Sequence, residues 1–173
     1  DLGYPYAPAT SWQGTGKGSR IQLDFGKDVS IGGFRYYLGN YEHRVFSAEI
    51  GSGKPVQWKN MGTVKFDRVY QWGSAAINGT GRYLRLTSQN QFSDLKELTV
   101  YSLEGETLIP INRLSYPELF DEERLYPGYS TFRSGTIFDE LFFARTAYEY
   151  LHGLRSYEDT HPPLGKILIS AGI

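Results

Sequence analysis

The chain has 173 residues, 40% of them hydrophobic and 21% charged, which is enough apolar material to bury a core. A net charge of -1 offers no field for nucleic acid, and the absence of cysteine excludes disulfides and thiolate metal sites. With 14 Tyr, 10 Phe and 3 Trp beside 20 Gly, the composition favours strands joined by tight turns over a helical bundle.

Residues 1–105 carry the strand signature. Ile21, Leu23 and Phe25 alternate with polar neighbours, and Gly26-Lys27-Asp28 reads as the turn that closes the run. Phe34, Tyr36 and Leu38 alternate next, then Phe46, Ala48 and Ile50, followed by Val56 and Trp58, residues 83–86, and Leu98 with Val100. Short alternating runs separated by turn residues predict an all-β sandwich, with Trp58 and Trp72 in its core. Residues 106–135 change character. Pro110, Pro117 and Pro127 punctuate a stretch without periodicity, expected as an extended connector, and Asp121-Glu122-Glu123 reads as a solvated acidic surface.

From residue 136 the signals turn helical. Thr136 is placed to cap, Asp139 follows at capping-box spacing, and Ile137, Leu141, Ala144, Tyr148 and Leu151 fall on one helical face. Gly153 is the expected stop, and Pro162-Pro163 imposes extended backbone beyond it. Residues 164–173 form an apolar run far shorter than the roughly 20 residues a bilayer requires. It is expected to be the start of a membrane-entering segment, with a short buried terminal element as the alternative.

Two readings of the ionisable groups stand side by side on spacing alone. Asp139 and Glu140 are helix neighbours about 100° apart, so they do not face each other across a scissile bond. Either they cap and charge the first turn, or one of them is an ionised carboxylate that accepts a proton or holds a cation. His161 is either a hydrogen-bonding loop residue or a proton carrier. Lys166 either snorkels or holds a phosphate at a membrane surface.

Two family resemblances bear on these alternatives. Residues 19–26 (Ser-Arg-Ile-Gln-Leu-Asp-Phe-Gly), Gln57-Trp58, Trp72, the 81–86 strand and the Leu95-Lys96-Glu97-Leu98-Thr99-Val100-Tyr101 run resemble, in order and spacing, discoidin-like (factor V/VIII C-type, galactose-binding-like) domains. That resemblance covers roughly residues 10–103 and implies a mainly β, jelly-roll β-sandwich that binds carbohydrate or lipid headgroups at loops on one end. Candidate sugar contacts in the expected loops are Trp12, Tyr41, His43, Arg44 and Phe92.

In residues 134–173, Phe138-Asp139-Glu140, Ala144-Arg145-Thr146-Ala147-Tyr148-Glu149 and Thr160-His161-Pro162-Pro163-Leu164-Gly165-Lys166 resemble the first extracytoplasmic loop of the protein O-mannosyltransferase family and its bacterial relatives. Those membrane glycosyltransferases use polyprenyl-phosphate sugars. The resemblance implies that Asp139 activates the acceptor hydroxyl for an inverting transfer with Glu140 as its companion. It also implies that His161, Pro162 and Lys166 lie near the lipid phosphate, with Arg145 on the substrate side. The implied partners are a lipid-linked sugar donor, with mannose the expected sugar, and a protein acceptor. The implied place is the extracytoplasmic face of the cell membrane, reached through flanking helices, and the isolated piece is expected to be inactive. The resemblance assigns no definite cofactor, and a divalent cation is left open. Phe142-Phe143 stand where bacterial relatives often carry a His, and Asp159 stands where Trp is usual. The other functional expectation is a carbohydrate- or cell-surface-binding module with no catalysis of its own. Residues 136–173 form a small helical segment after the sandwich in either case.

Overall fold

A computed structural model describes residues 7–39, 43–68, 71–128, 140–156, 158 and 161–171, and statements of absence below concern these residues. Eight strands come first: β1 (Trp12–Gly14), β2 (Arg20–Tyr37), β3 (Arg44–Ser52), β4 (Gln57–Phe66), β5 (Trp72–Ser88), β6 (Ser93–Leu95), β7 (Glu97–Ser102) and β8 (Thr107–Leu108). Two helices follow, α1 (Glu140–Leu151) and α2 (Pro163–Ala171). β1 pairs with β6, and the other strands form one antiparallel sheet in the order β4-β3-β5-β2-β7-β8. The fold class expected from the sequence, a mainly β jelly-roll sandwich followed by a small helical segment, is the one the chain adopts.

The sheet becomes a sandwich because its two longest strands cross both layers. Residues 20–24 of β2 pair with 83–87 of β5, beside β3 and β4, whereas residues 33–37 pair with 72–76, beside β7 and β8. Between these halves the register of β2 breaks twice, between Asp24 and Val29 and between Ile31 and Gly33. The expected turn at residues 26–28 is therefore a bulge inside a continuous strand, with Gly26 at a φ of 77° that a side chain would disfavour. Across from it, Gly79 and Gly81 of β5 lie against Ile50, where an added Cβ would come within 2.4 Å of that side chain.

Alternation along each strand then sends one set of side chains inward. Phe34 and Tyr36 from one layer meet Phe66 of the other, at ring-centroid distances of 5.8 Å and 4.2 Å, and Phe46 stands 5.4 Å from Phe66. Ile21, Leu23, Ile31, Leu84, Leu86, Leu98 and Val100 complete the core. Each large apolar side chain removed from water contributes about 1.5–3 kcal/mol.

Neither tryptophan expected in the core belongs to it. Trp58 is partly exposed on the outer face of β4, with the Arg85 guanidinium 3.6 Å above its ring. Trp72 packs edge-on between Tyr37 and Tyr126. The residues after β8 are packed on the sandwich: short 3-10 turns at Arg113–Ser115, Pro117–Leu119 and Glu123–Leu125 carry Leu119 into the core and lay Tyr116 and Phe120 against it.

Helix α1 ends as its glycine predicts. Gly153 takes a φ of 63°, and the Leu154 amide reaches back 2.8 Å to the Glu149 carbonyl. The expected cap at Thr136 and Asp139 lies outside the described residues, as do the side chains of Leu141, Ala144 and Tyr148. Leu151, expected on the buried face, is half exposed, while Thr146, Ala147 and Glu149 are buried. Pro163, expected in extended backbone, instead opens α2, where a locked φ suits the first turn. Leu164, Ile167 and Leu168 of α2 are exposed, and no described helix is long and apolar enough to cross a membrane.

Candidate functional site

Three constellations gather polar side chains, and the first is a rim at one end of the sandwich. β1 runs antiparallel to β6, with Trp12 opposite Leu95. Arg44 Nε donates to Asp94 Oδ1 at 3.0 Å. Asn90 ties the neighbouring loop, its Oδ1 accepting the Val45 amide at 2.7 Å and its Nδ2 donating to the His43 carbonyl at 3.5 Å. His43 and Phe92 lie in loops, whereas Trp12 and Arg44, also expected in loops, are the first residues of β1 and β3.

Their roles separate on burial. Arg44 is fully buried and serves as the internal partner of Asp94, because a guanidinium with no exposure cannot meet a ligand. Trp12 packs against the core rather than standing free. His43 and Phe92 remain exposed, Phe92 by 65%, and Tyr41 lies outside the described residues. Both polar atoms of the Asn90 amide are engaged in holding this loop, so the exposed Phe92 ring and His43 imidazole are the candidate side chains for a stacking or hydrogen-bonding contact.

A second constellation, invisible as a unit in the sequence, joins the start of the chain to residues 121–122. Glu122 Oε2 accepts the Ala9 and Thr10 amides at 2.7 and 3.0 Å, and the Thr10 hydroxyl donates to Asp121 at 3.0 Å. Burial alone would raise the Glu122 pKa, but these amides outweigh it and hold the carboxyl below its ordinary value. Lys96 Nζ donates to the Pro8 carbonyl at 2.7 Å, and burial lowers its pKa. Glu97 is fully buried. Its Oε2 accepts the Glu122 amide at 3.0 Å, its Oε1 has no partner, and burial pushes its pKa up to about 9.

The ligand oxygens of Glu97, Asp121 and Glu122 lie within 4.8 Å of one another, the one described group able to gather round a hard cation. Two of the three carboxylates are already engaged by residues 9 and 10, and the Lys96 ammonium supplies nearby positive charge. The acidic run expected as solvated surface thus works as a clasp.

The third constellation lies in the helical hairpin. The His161 ring sits 5.2 Å from that of Phe143 on α1, so the two separated motifs meet. Arg145 pairs with Glu149 one turn along α1. Lys166, expected to reach a phosphate, is instead fully buried: its ammonium binds the Glu158 carboxylate and donates to the Glu158 carbonyl at 2.8 Å. Glu158 Oε1 also lies 3.1 Å from His161 Nδ1. Pro162 is exposed beside this cluster, the backbone of Glu140 begins α1, and Asp139 lies outside the described residues. Sequence reasoning missed Glu158, whose place three residues before His161 was the available signal.

No protein family and no curated protein matches the chain. Among solved structures, truncated AlyQ with CBM32 and alginate lyase domains is similar over 53% of this chain at 21% identity and a TM-score of 0.45, and this chain spans 26% of its length. The CBM32 of AlyQ in complex with 4,5-unsaturated mannuronic acid is similar over 54% of this chain and 78% of its own, at 20% identity and a TM-score of 0.47.

Proposed function

We propose that this chain is a sugar-handling, extracytoplasmic part of a membrane glycosyltransferase, in which the β-sandwich binds carbohydrate and the hairpin contributes to transfer from a polyprenyl-phosphate sugar to a protein hydroxyl. The observation that carries the transferase reading is the contact of His161 with Phe143, which joins the His-Pro-Pro-Leu-Gly-Lys motif to the helix beginning directly after Asp139. In this reading Asp139 accepts the proton of the acceptor hydroxyl with Glu140 as its companion. The freed oxygen attacks the anomeric carbon, the bond to the prenyl phosphate breaks on the opposite face, and the configuration inverts. Mannose is the sugar the motif resemblance favours. In the full-length protein, Asp139→Asn abolishes sugar transfer from a lipid-linked donor; turnover at the wild-type rate would overturn the assignment.

A second observation supports the sandwich's share. Phe92 and His43 are exposed on one rim whose loops are fixed by Asn90 and by the Arg44–Asp94 pair. A sandwich that only binds glycans, without catalysis in the parent protein, is the competing reading. Titration of the chain with neutral and acidic monosaccharides gives saturable binding that Phe92→Ala weakens by about tenfold, the loss of one stacking contact. Absence of saturation at millimolar sugar removes the carbohydrate assignment and leaves the transferase assignment to the Asp139 experiment.

A further inference from the structure

Each described arginine that is buried or half-buried pairs with a carboxylate, with one exception. Arg44 binds Asp94, Arg82 binds Asp24, Arg85 binds Glu49 and Arg145 binds Glu149. Arg35 is half-buried too, yet it has no carboxylate partner among the described residues. Aromatic rings hold it instead. Its guanidinium lies 5.2 Å from the centre of the Tyr101 ring and 4.9 Å from that of Tyr126. Its hydrogen bond is a long one, 3.4 Å from Nη2 to the Gly105 carbonyl.

The surroundings fix this arrangement. Arg35 falls between Phe34 and Tyr36, both in the core, so strand alternation turns it to the outer face of the sheet. Its cross-strand neighbours are Ser74 of β5, which is exposed, and Thr99 of β7. Further along β7, Tyr101 lies over Gly33, where an added Cβ would come within 2.5 Å of the tyrosine hydroxyl. Tyr126 is braced by Trp72, edge-on with ring centres 5.5 Å apart.

Stacking engages the face of a guanidinium and leaves its N–H groups, a planar fork of five donors, at the rim. With one donor on the Gly105 carbonyl, the fork keeps donors to spare. A carboxylate matches that fork with two parallel bonds and supplies the missing counter-charge. In a uronic acid the carboxylate is attached directly to the pyranose ring. Seating it on Arg35 therefore brings the sugar's C–H surface to the flanking tyrosines.

We propose that Arg35, Tyr101 and Tyr126 form a second carbohydrate subsite, on the outer face of β2 and β7, which takes the carboxylate of a uronic acid residue. It shares no residue with the rim that carries His43 and Phe92. This inference rests on the carbohydrate reading of the sandwich and deepens it, because it makes the glycan an acidic one.

Two NMR signals read the two places separately, the Arg35 Nε–H for this subsite and the His43 ring for the rim. The chain is titrated with disaccharides of glucuronate, galacturonate and mannuronate, each beside its methyl ester, which keeps the ring and loses the charge. At least one acid moves the Arg35 signal saturably, and its ester binds there about tenfold more weakly, the loss of one charge-assisted fork. In Arg35→Met, which keeps an aliphatic stem, the Tyr126 ring signal no longer responds to the acid. Arg35→Lys retains part of the response, because the charge stays while the fork is lost. The acid–ester comparison needs no variant, so it decides even where Arg35→Met loosens Tyr126.

Equal affinity of acid and ester at Arg35 overturns the subsite, as does a Tyr126 response that survives Arg35→Met. Inorganic sulfate or N-acetylglutamate binding there as tightly as the best uronate overturns the sugar as the source of the anion. A rim that responds to sugars while Arg35 stays silent removes the subsite alone. Silence at both places towards every neutral and acidic sugar removes the carbohydrate reading with it.

Discussion

In the sandwich the fully buried large side chains are mostly Phe34, Tyr36, Phe46, Phe66 and their aliphatic neighbours, whereas the described buried groups of the hairpin are Thr146, Ala147, Glu149 and Lys166. The first region is held by non-directional burial, which accumulates with area and survives small adjustments. The second relies on directional contacts between ionised groups, where the loss of one partner leaves the other charged and dry. The sandwich is built to last under many conditions. The hairpin is held by contacts that fix particular atoms in place.

The contrast can be broken most forcefully in the aromatic core. Phe66→Ala removes the ring that Phe34, Tyr36 and Phe46 all meet and should cost about 3–5 kcal/mol in chemical denaturation; a loss below 1 kcal/mol would place the core elsewhere. Lys166→Ala should cost the hairpin about 3 kcal/mol by stranding Glu158, with the sandwich transition unmoved. Amide hydrogen exchange reads the two regions separately, and equal loss of protection in both would refute their independence.

Glu97 sharpens the comparison from the other side, as a polar group inside the apolar region. Its carboxyl stays protonated in the folded chain up to about pH 9 and ionises from its ordinary value of 4.5 when unfolded. The unfolded state therefore gives up its proton first, and stability falls as pH rises through that window, by about 1.4 kcal/mol per unit. Glu97→Gln should flatten this slope and raise stability near pH 7 by roughly 2–3 kcal/mol. Denaturation curves at pH 5 and 8 decide it, and equal stability gains at both would exclude the carboxyl as their source. The smallest effect is expected at Arg82, which forks onto Asp24 at 2.8 Å on the surface and holds that carboxyl's pKa down. Arg82→Ala should lower stability least of these variants, with the loss shrinking further in 1 M salt.

How much of this was legible in the sequence follows the same division. The alternation of Ile21, Leu23 and Phe25, of Phe34 and Tyr36, and of Phe46, Ala48 and Ile50 marks side chains that are in fact inside. The bulge at residues 26–28 was not legible, because glycine beside polar residues marks a turn and a bend within a strand alike. Trp58 misled for a related reason: its size suggests burial, but Arg85 covers it on the outer face. Gly153 marked the end of α1 correctly, whereas Pro163, expected in extended backbone, opens α2, because a locked φ suits a first helical turn as well as an extended stretch. The pairing of Glu158 with Lys166 of α2, and of residues 121–122 with Thr10, depends on how the backbone folds back between them, which helix or strand spacing does not encode.

The clasp between Thr10 and Asp121–Glu122 has a consequence for architecture. Residues 111 positions apart along the chain stand a hydrogen bond apart, 3.0 Å, so the polypeptide reaches and leaves the sandwich through the same doorway. A unit with adjoining entrance and exit can be spliced into a surface loop of a host without prising that loop's two stems apart, which is how insertions are tolerated. The sandwich thus has the geometry of a unit that a loop can carry with its two ends side by side.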